Sequence, residues 1–429
     1  MESFGSEGGG SGGSSGSSGG GGPHACWRTL FADDEGAPTR TSREQAEVEG
    51  AVCPLLAAHA PPAPLPPLQC AAHLAYLHQG LRAAMGADYT GYDASRVWLV
   101  YWCLQALDLL GAAHGEGMAP VLERCCDFLS ACQHPQGGFG GGPQQEAHAA
   151  STYAAAMACL IIGTPRARAL PDRAALGAFF TRLKGAGAGG GTGAFAVTAD
   201  GESDTRGTYT VLAAASALGV LTPALRAGCA AFLAACQGAE GGFGGEPGNE
   251  AHGGYTYCAL AALEILRGAE PGGGGGGGGG GGLAAQGVDT AALAHWLARR
   301  QMASEGGFSG RCNKLVDACY SFWLGASCVL AARGGGAGAG ALPAPAPAQL
   351  YILAAAQLPS GRGGCRDKPG KAPDFYHTCY ALAGLSVAVW EGGGGGGRGE
   401  EVRAAMEGRL FPTDCVYNVR PERLLGGAK

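Results

Sequence analysis

The densest group of chemically reactive side chains lies in one stretch, GRCNKLVDACYSFW, at residues 310–323. The stretch holds the cations Arg311 and Lys314, the carboxylate of Asp317, the thiol of Cys319 and the phenol of Tyr320. Asp317 and Cys319 are two residues apart, so a regular helix would point them to opposite faces. The two can bind one ion only where the chain is irregular, with Asp317 close to the start of the helix that carries Cys319 and Tyr320. A helix N-terminus also favours a thiolate.

A third metal ligand is available in the motif DFYHTCY, where His377 occupies the corresponding stretch of the next repeat. Aspartate, cysteine and histidine together leave one tetrahedral position free, which is the pattern of catalytic zinc. The spacing alone does not decide the matter, because cysteine is commonly buried as a small hydrophobe and a single histidine is often a hydrogen-bonded core residue. A zinc site and a purely structural interpretation both stay open at this point.

The cations of the same stretch indicate a second kind of site. Arg311 and Lys314 are three residues apart, on one side of a turn, and EAHGGYTY places His252 and Tyr255 at the equivalent position one repeat earlier. Cations, an imidazole and a phenol together suit a diphosphate, although a solvated Lys and Arg face is the alternative. The aromatic residues nearby can form either a core or a wall for an apolar chain: Tyr255, Tyr257, Tyr320, Phe322 and Trp323.

Five glycine-rich turns set the spacing of these residues. They begin at Gln136, Gly191, Glu240, Glu305 and Arg362 and recur about every 50 to 65 residues. Segments with apolar residues three and four apart precede and follow each turn, whereas strand signals are weak. Paired glycines allow the chain to turn sharply. We expect an all-α fold of stacked helix pairs joined by Gly-Gly-Phe turns, closed into an α-α barrel or left as an open solenoid that binds partners on its concave face.

Low-complexity segments divide the chain of 429 residues. Residues 1–40 are rich in glycine and serine, so we expect a disordered extension there and one helical domain over 41–429. Three low-complexity loops are expected to be disordered insertions: 271–283, 333–348 and 391–399. The segment TSREQAEVE is expected to open the domain, with Thr41 or Ser42 as the helix cap and Gln45 in a capping box.

Composition excludes several classes of protein. The 17 cysteines are an odd number with no C-x-x-C pair, and no signal-peptide core follows Met1, so we expect a reducing cytoplasm and no disulfide scaffold. The net charge of −6 argues against a nucleic-acid partner. The apolar run ALAGLSVAVW stops well short of the ~18 residues of a membrane span.

Six motifs together resemble the β subunits of protein prenyltransferases, most closely the members that transfer farnesyl. They are DASRVWLVYW, GGFGGGP, EAHGGYTYC, EGGFSGRCNKLVDACYSFW, DKPGK and DFYHTCYALAGLS, and they occur in the family's order between Thr41 and the segment FPTDCVYNVRPERL. The resemblance implies a closed α-α toroid that forms a heterodimer with an α subunit of helical repeats. It also implies one Zn²⁺ per β subunit and a Mg²⁺ ion that accompanies the diphosphate.

The resemblance also implies a role for each residue of the site. Asp317, Cys319 and His377 would hold the zinc, and Asp374 is a neighbouring carboxylate of the kind that orients a ligand. The diphosphate would be held by His252, Arg311, Lys314 and Tyr320. The isoprenoid pocket would be lined by Trp98, Arg206, Tyr209, Tyr255, Cys258, Trp323 and Tyr380. The peptide would lie near Ser95, Trp98, Trp102, His148 and Tyr376, and Asp367 would contact magnesium.

The implied activity is transfer of a farnesyl group from farnesyl diphosphate to the cysteine of a C-terminal CaaX sequence. Trp98 and Tyr380 stand where relatives that transfer geranylgeranyl have smaller residues, and Asp367 stands where those relatives have a lysine in place of magnesium. These three positions favour the fifteen-carbon lipid. The alternatives are a β subunit of geranylgeranyltransferase type I and a toroid that serves only as a scaffold.

Overall fold

The computed structural model describes residues 39–60, 63–82, 86–185, 193–269, 282–335, 344–358, 361–392 and 398–424. The glycine-rich extension predicted over 1–40 therefore lies outside the described residues up to residue 38. The same holds for most of the first predicted loop and for the central parts of the other two, namely residues 270–281, 336–343 and 393–397. Disorder in these segments stays a prediction.

Helices are the dominant regular structure of the described residues. The α-helices are α1 (Arg40–Ala57), α2 (Cys70–Arg82), α3 (Arg96–Leu109), α4 (Ala119–Cys132), α5 (Ala149–Ile162), α6 (Pro165–Ala169), α7 (Arg173–Gly185), α8 (Thr205–Ala217), α9 (Pro223–Arg226), α10 (Cys229–Ala235), α11 (Gly253–Gly268), α12 (Thr290–Ala298), α13 (Tyr320–Arg333), α14 (Pro345–Tyr351), α15 (Phe375–Trp390), α16 (Arg398–Met406) and α17 (Pro421–Leu424). Short 3₁₀ helices cover Ala87–Ser95 and Leu283–Gln286, and a π-helical turn covers Ile352–Ala356. Strands β1 (Phe195–Ala196) and β2 (Ser203–Asp204) pair antiparallel.

Six helices close into an inner ring. Helices α3, α5, α8, α11, α13 and α15 each pack against the next, and α15 packs against α3. An outer helix precedes each inner helix and packs against it: α2, α4, α7, α10, α12 and α14. Every residue of α5 is buried, as expected for a helix that is apolar all round. The closed ring confirms the predicted all-α barrel and excludes the open solenoid.

Five inner helices follow a glycine turn in the same register. The turn residues are Phe139, Phe195, Phe243, Phe308 and Cys365, and the backbone of each pairs with the residue nine positions later, next to the start of the inner helix. Thirteen positions after the turn residue, a threonine hydroxyl accepts the N–H of that turn residue at 2.8–3.2 Å: Thr152, Thr208, Thr256 and Thr378. In the remaining repeat, Ser321 lies thirteen positions after Phe308, in place of the threonine. The repeat therefore has one register.

A ladder of backbone hydrogen bonds joins neighbouring turns at one end of the ring. Near the start of each of five inner helices, an N–H donates to a carbonyl two residues past the next turn residue. The N···O distances are 2.7–3.1 Å and the pairs are Val97 to Gly141, Ala149 to Val197, Thr205 to Gly245, Gly253 to Gly310 and Ala318 to Asp367. The loop that follows each turn residue therefore lies beside the start of the preceding inner helix.

The first glycine of a turn packs directly against the backbone of the next outer helix. Gly137 has φ 93°, and a Cβ there would lie 2.1 Å from the carbonyl oxygen of Ala175 on α7. Gly241 repeats the arrangement with φ 103° and 2.1 Å to the oxygen of Ala292 on α12. No other residue type fits, because both the positive φ and the close approach require a missing side chain.

The other end of the ring is closed by residues 413–419, the C-terminal plug. Tyrosine hydroxyls from four successive inner helices donate to its carbonyls at 2.7–2.9 Å: Tyr101 to Asn418, Tyr153 to Tyr417, and both Tyr209 and Tyr257 to Val416. Side chains late in the inner helices also bond the plug. The Gln105 amide donates to the Thr413 hydroxyl, and the Ser386 hydroxyl accepts the backbone N–H of Thr413. The plug therefore lies at the C-terminal ends of the inner helices.

Three sequence-based boundaries are wrong. Helix α1 begins at Arg40, two or three residues before the predicted start, and Thr39 caps it by accepting the N–H of Ser42 at 3.1 Å, so neither Thr41 nor Ser42 is the cap. The predicted loop at 391–399 contains the start of α16 at Arg398. The predicted loop at 333–348 contains the start of α14, because Pro345 occupies the first turn, where a helix needs no N–H donor. Among the described residues, no helix has the length and apolarity needed to cross a membrane.

Candidate active site

Polar residues at the starts of the inner helices form a rim around one end of the ring. His148, Asp204, His252, Asp317 and Asp374 each lie nine positions after a turn residue, and the side chain of each accepts a backbone N–H at the helix start. Successive inner helices run in the same direction because an outer helix returns the chain between them. The repeat register therefore brings five capping side chains, from five parts of the sequence, to a single rim.

Asp317, Cys319 and His377 form a compact group on this rim. One ligand atom of each residue lies within 4.8 Å of the others, and Asp317 Oδ1 is 3.4 Å from His377 Nε2. Asp317 Oδ1 also accepts the N–H of Cys319 at 2.9 Å, just before α13 begins at Tyr320. The chain is irregular there, as the two-residue spacing requires, and both side chains point to one place.

Asp374 fixes the orientation of the His377 ring. Its carboxylate caps α15 by accepting the backbone N–H of His377 at 2.7 Å, and its second oxygen lies 2.6 Å from Nδ1 of the same residue. With Nδ1–H donated to Asp374, the opposite nitrogen, Nε2, faces Asp317 and Cys319. A carboxylate behind a histidine is the usual arrangement at protein metal sites, because it holds the ring and raises its basicity.

The electrostatics of the group favour a bound cation. Burial alone would lower the pKa of His377, but hydrogen bonds to Asp317 and Asp374 outweigh it and hold the pKa well above its usual value. Burial would raise the pKa of Asp317, but the hydrogen bond and charge of His377 lower it to about 2. Burial and the Asp317 charge raise the pKa of the Cys319 thiol. A proton therefore lies between the Asp317 carboxylate and the His377 imidazole. A divalent metal such as Zn²⁺ can replace that proton, because Asp, Cys and His are ligands that suit it.

His252 and Tyr320 form the second polar pair of the rim. His252 Nδ1 accepts the N–H of Gly254 at 3.0 Å, so the ring proton is on Nε2, which lies 2.9 Å from the hydroxyl of Tyr320. Burial lowers the pKa of His252 to about 4, with Arg311 as the next cause. A neutral His252 therefore donates to Tyr320, and the Tyr320 hydroxyl is left to donate to a ligand.

Arg311 reaches this pair through the rim ladder. The N–H of Gly253, next to His252, bonds the carbonyl of Gly310 at 2.7 Å, which brings the loop with Arg311 beside the start of α11. Arg311 Nη1 lies 2.5 Å from a carboxylate oxygen of Glu250 and is 39% exposed, so its guanidinium can turn to an incoming anion. Lys314 is exposed on the same loop. The cations therefore stand at helix N-termini, which themselves favour anions.

The same ladder places Asp367 beside the Asp317 group. The carbonyl of Asp367 accepts the N–H of Ala318 at 3.0 Å, and Lys368 pairs with the Asp367 carboxylate. Burial, with the nearby charge of Asp317, raises the pKa of Asp367 to about 6. Its Oδ1 is buried without a hydrogen-bond partner. That orphaned oxygen fits a second cation near the group.

An aromatic wall begins next to the Asp317 group and continues around the ring. The rings of Trp323 and Tyr380 are 4.3 Å apart, and Trp323 Nε1 donates to the Tyr376 hydroxyl at 3.1 Å. From Tyr376 the contacts pass to Trp102 at 5.4 Å and then to Trp98 at 5.7 Å. The structure therefore joins the residues predicted for the isoprenoid pocket to those predicted for the peptide, through Tyr376.

The remaining predicted residues lie on the rim and wall of helices α3, α5, α8 and α11. Arg206 is 11% exposed and pairs with Asp204 at 2.9 Å and Glu202 at 2.7 Å. Tyr255 packs against His252 at 5.6 Å, and Tyr209 and Cys258 are buried deeper in α8 and α11. Ser95 lies at the end of the 3₁₀ helix before α3, and His148 caps α5. These residues are on the rim or wall, but the structure does not bring them into the Asp317 group.

Comparisons with known proteins agree with this architecture. The model of the prenyltransferase alpha-alpha toroid domain matches residues 68–419. A protein farnesyltransferase subunit beta of Arabidopsis thaliana is 35% identical over 375 residues, which covers 73% of this chain and 72% of that protein. The subunit of the same name in Schizosaccharomyces pombe is 38% identical over 325 residues, which covers 74% and 78%. This chain belongs to the family of protein farnesyltransferase β subunits.

A solved structure supports the fold of this farnesyltransferase β-subunit family member. Candida albicans protein geranylgeranyltransferase-I complexed with GGPP has a TM-score of 0.65 and 20% sequence identity, and covers 84% of this chain and 98% of that chain. At that identity the likeness concerns the toroid alone. Membership in the family excludes an unrelated solenoid, which the glycine repeats by themselves could not do.

Sequence reasoning missed two parts of the site of this β-subunit family member. Asp204, which pairs with Arg206, lies nine positions after Phe195, the same spacing that separates His252 and Asp317 from their turns. Tyr153 lies fourteen positions after Phe139, as Tyr209 does after Phe195. An alignment of the five turns on their central residue would have found both, because position nine after a turn lies on the rim and the tyrosine at position fourteen bonds the C-terminal plug.

Proposed function

We propose that this chain is the catalytic β subunit of a protein farnesyltransferase. It would transfer a farnesyl group from farnesyl diphosphate to the cysteine of a C-terminal CaaX sequence. The observation that carries the proposal is the group of Asp317, Cys319 and His377 on the same rim as the His252–Tyr320 pair, at the edge of an aromatic wall. A metal group, an anion site and an apolar wall are what transfer of a lipid from a diphosphate to a thiol requires.

The three clustered residues would hold one Zn²⁺, with Asp374 orienting His377. Zinc held there would lower the pKa of a substrate thiol, so that the thiol would release its proton to solvent and react as a thiolate at neutral pH. A set of three protein ligands suits catalytic rather than structural zinc, because one position is left for an outside ligand. The buried Oδ1 of Asp367 supports a Mg²⁺ ion beside the diphosphate.

The rim residues would stabilise the leaving group. The substrate sulfur forms a bond to C1 of the isoprenoid while the bond from C1 to the diphosphate oxygen breaks, and the electron pair leaves with the diphosphate. His252, Arg311, Lys314 and Tyr320 would bind that anion, helped by the N-termini of α11 and α13. The neutral imidazole of His252 would orient the Tyr320 hydroxyl toward it.

The aromatic wall would hold the isoprenoid and align C1 with the thiol. Trp98 and Tyr380 are bulky and only 4% and 2% exposed, and two large buried rings in the wall support the shorter lipid over geranylgeranyl. The CaaX peptide would lie near Ser95, Trp98, Trp102, His148 and Tyr376. An α subunit would complete the enzyme, and the proposed compartment is the cytoplasm, since the sixteen described cysteines are free.

The test is zinc content and farnesyl transfer by the heterodimer of this chain with a prenyltransferase α subunit. Cys319→Ala should abolish stoichiometric zinc and turnover while the helical fold and α-subunit binding persist, since the barrel core does not depend on the ion. Cys328→Ala is the matched control, because Cys328 is also buried on α13 but lies outside the group. Full zinc and full rate in Cys319→Ala would refute the ligand assignment, and a wild type without prenyl transfer would refute the function.

A further inference from the structure

Two tyrosines connect the aromatic wall to the C-terminal plug. The ring of Trp98 lies 5.8 Å from the ring of Tyr153 and 5.9 Å from that of Tyr101. The hydroxyl of Tyr153 donates to the carbonyl of Tyr417, and that of Tyr101 to the carbonyl of Asn418, both at 2.8 Å. Trp98 therefore rests on two rings whose far ends are fixed to the plug.

The opposite side of the wall rests on the plug in the same way. The ring of Tyr257 lies 5.1 Å from that of Trp323, and its hydroxyl donates to the carbonyl of Val416 at 2.9 Å. Tyr209 donates to the same carbonyl at 2.7 Å and contacts the Tyr257 hydroxyl at 3.1 Å. Three successive carbonyls thus bond tyrosines of four inner helices, and three of these tyrosines contact Trp98 or Trp323 of the wall.

Hydrogen bonds within the plug also hold its shape. One carboxylate oxygen of Asp414 accepts the N–H groups of Val416 and Tyr417 at 2.8 and 2.9 Å. The N–H of Asn418 donates to the carbonyl of Asp414 at 3.0 Å, and the N–H of Asp414 donates to Val419 at 2.8 Å. These bonds fix the direction of the carbonyls, so the plug is a rigid support.

We infer that the C-terminal plug sets the depth of the isoprenoid pocket, with Tyr153 and Tyr101 as positioning residues for Trp98. The inference rests on the proposed function, because only a lipid substrate requires a pocket of defined length. A phenol bonded at its para oxygen cannot retreat from a neighbouring ring without losing a buried hydrogen bond. In a close-packed interior, that restraint passes to Trp98 and decides whether one further isoprene unit fits.

The test is Tyr153→Phe in the heterodimer, which removes one hydroxyl and keeps the ring. The measurement is the ratio of kcat/KM for farnesyl diphosphate to kcat/KM for geranylgeranyl diphosphate, with one CaaX peptide. Without its hydrogen bond to the Tyr417 carbonyl, the ring at position 153 can move and Trp98 can shift with it. The kcat/KM ratio of farnesyl to geranylgeranyl diphosphate should therefore fall by at least about threefold. Tyr101→Phe should shift the ratio in the same direction, because Tyr101 supports the same indole.

Tyr417→Phe is the matched control. It makes the same chemical change within the plug, but the Tyr417 hydroxyl bonds Ser216 at 2.9 Å and does not support Trp98. The control should lower the melting temperature about as much as Tyr153→Phe and leave the lipid ratio unchanged. An unchanged ratio in Tyr153→Phe, or an equal shift in the control, would refute the inference while farnesyl transfer by the wild type upholds the proposed function. A wild type that transfers neither lipid refutes both.

Discussion

Asp204 and Asp317 occupy the same position in their repeats and have opposite surroundings. Each lies nine residues after a turn phenylalanine, and each accepts an N–H at the start of an inner helix. Asp204 is 4% exposed and is neutralised by Arg206, two residues later. Asp317 has Cys319 two residues later and faces His377 from the next repeat. Differences at two register positions thus separate a closed ion pair from a group that can take a metal: Arg206 against Cys319, and Tyr255 against His377.

The comparison predicts that the two aspartates fail in different ways. Asp317→Asn should remove a metal ligand and reduce kcat by about a thousandfold, because a bound metal contributes several kcal/mol to stabilising developing charge. Its thermal stability should change little. The measurements are zinc content by mass spectrometry and single-turnover farnesyl transfer.

Asp204→Asn is the partner experiment. It should retain stoichiometric zinc but lower the free energy of unfolding by about 1 to 3 kcal/mol, because Arg206 would lose its buried carboxylate partner. Urea denaturation measures this loss. If Asp204→Asn also lost its zinc, the two positions would not be separate in function.

Lipid choice can be tested at Trp98, the tryptophan at the end of the aromatic wall. Trp98→Thr removes an indole that is 4% exposed, which should open space for one more isoprene unit. The kcat/KM ratio of the two lipid diphosphates should shift toward geranylgeranyl by at least about tenfold, since pocket mismatches of this kind cost about 1 to 3 kcal/mol. A wild type that already prefers the longer lipid would favour the geranylgeranyltransferase type I alternative.

His148, which also lies nine positions after a turn residue, should make the stability of the fold depend on pH. Burial lowers the pKa of His148 from its usual 6.5 to about 4, and its Nδ1 must stay unprotonated to accept the N–H of Ala150. The unfolded chain therefore binds a proton first, and stability is lost as the pH falls from 6.5 to about 4. The loss is about 1.4 kcal/mol per pKa unit, to be measured by urea denaturation at pH 7 and pH 5. His148→Asn, which caps without titrating, should show a smaller difference between the two pH values.

The sequence was sufficient for the parts of the molecule that depend on local pattern. The glycine turns predicted paired helices, and the contacts between α15 and α3 closed them into a ring. Asp317, Cys319 and His377 could be grouped because two of them share one stretch and the third has an equivalent place one repeat later. Resemblance to a family supplied the roles, since the residue types alone left the zinc and diphosphate sites undecided.

Long-range partners could not be predicted in the same way. Nothing in the sequence near Tyr153 indicates that its hydroxyl bonds a carbonyl 264 residues away, because a backbone acceptor carries no side-chain signature. The capture of Arg206 by Asp204 was missed for another reason, since a lone acidic residue usually lies on a solvated surface. The start of α14 was assigned to a loop because it lies in a low-complexity stretch of Gly, Ala and Pro, although proline is tolerated in the first turn of a helix.

The plug also imposes an order of events on synthesis of the protein. Tyr101 is translated 317 residues before Asn418, whose carbonyl its hydroxyl needs. At ribosomal rates of about 5 to 20 residues per second, that delay lasts roughly 15 to 60 s. During this time the tyrosines of the growing chain lack their final acceptors, and the inner helices expose apolar surface to water. We therefore expect the nascent chain to need chaperones until residues 413–419 leave the ribosome, and truncation shortly before residue 413 should send it to degradation.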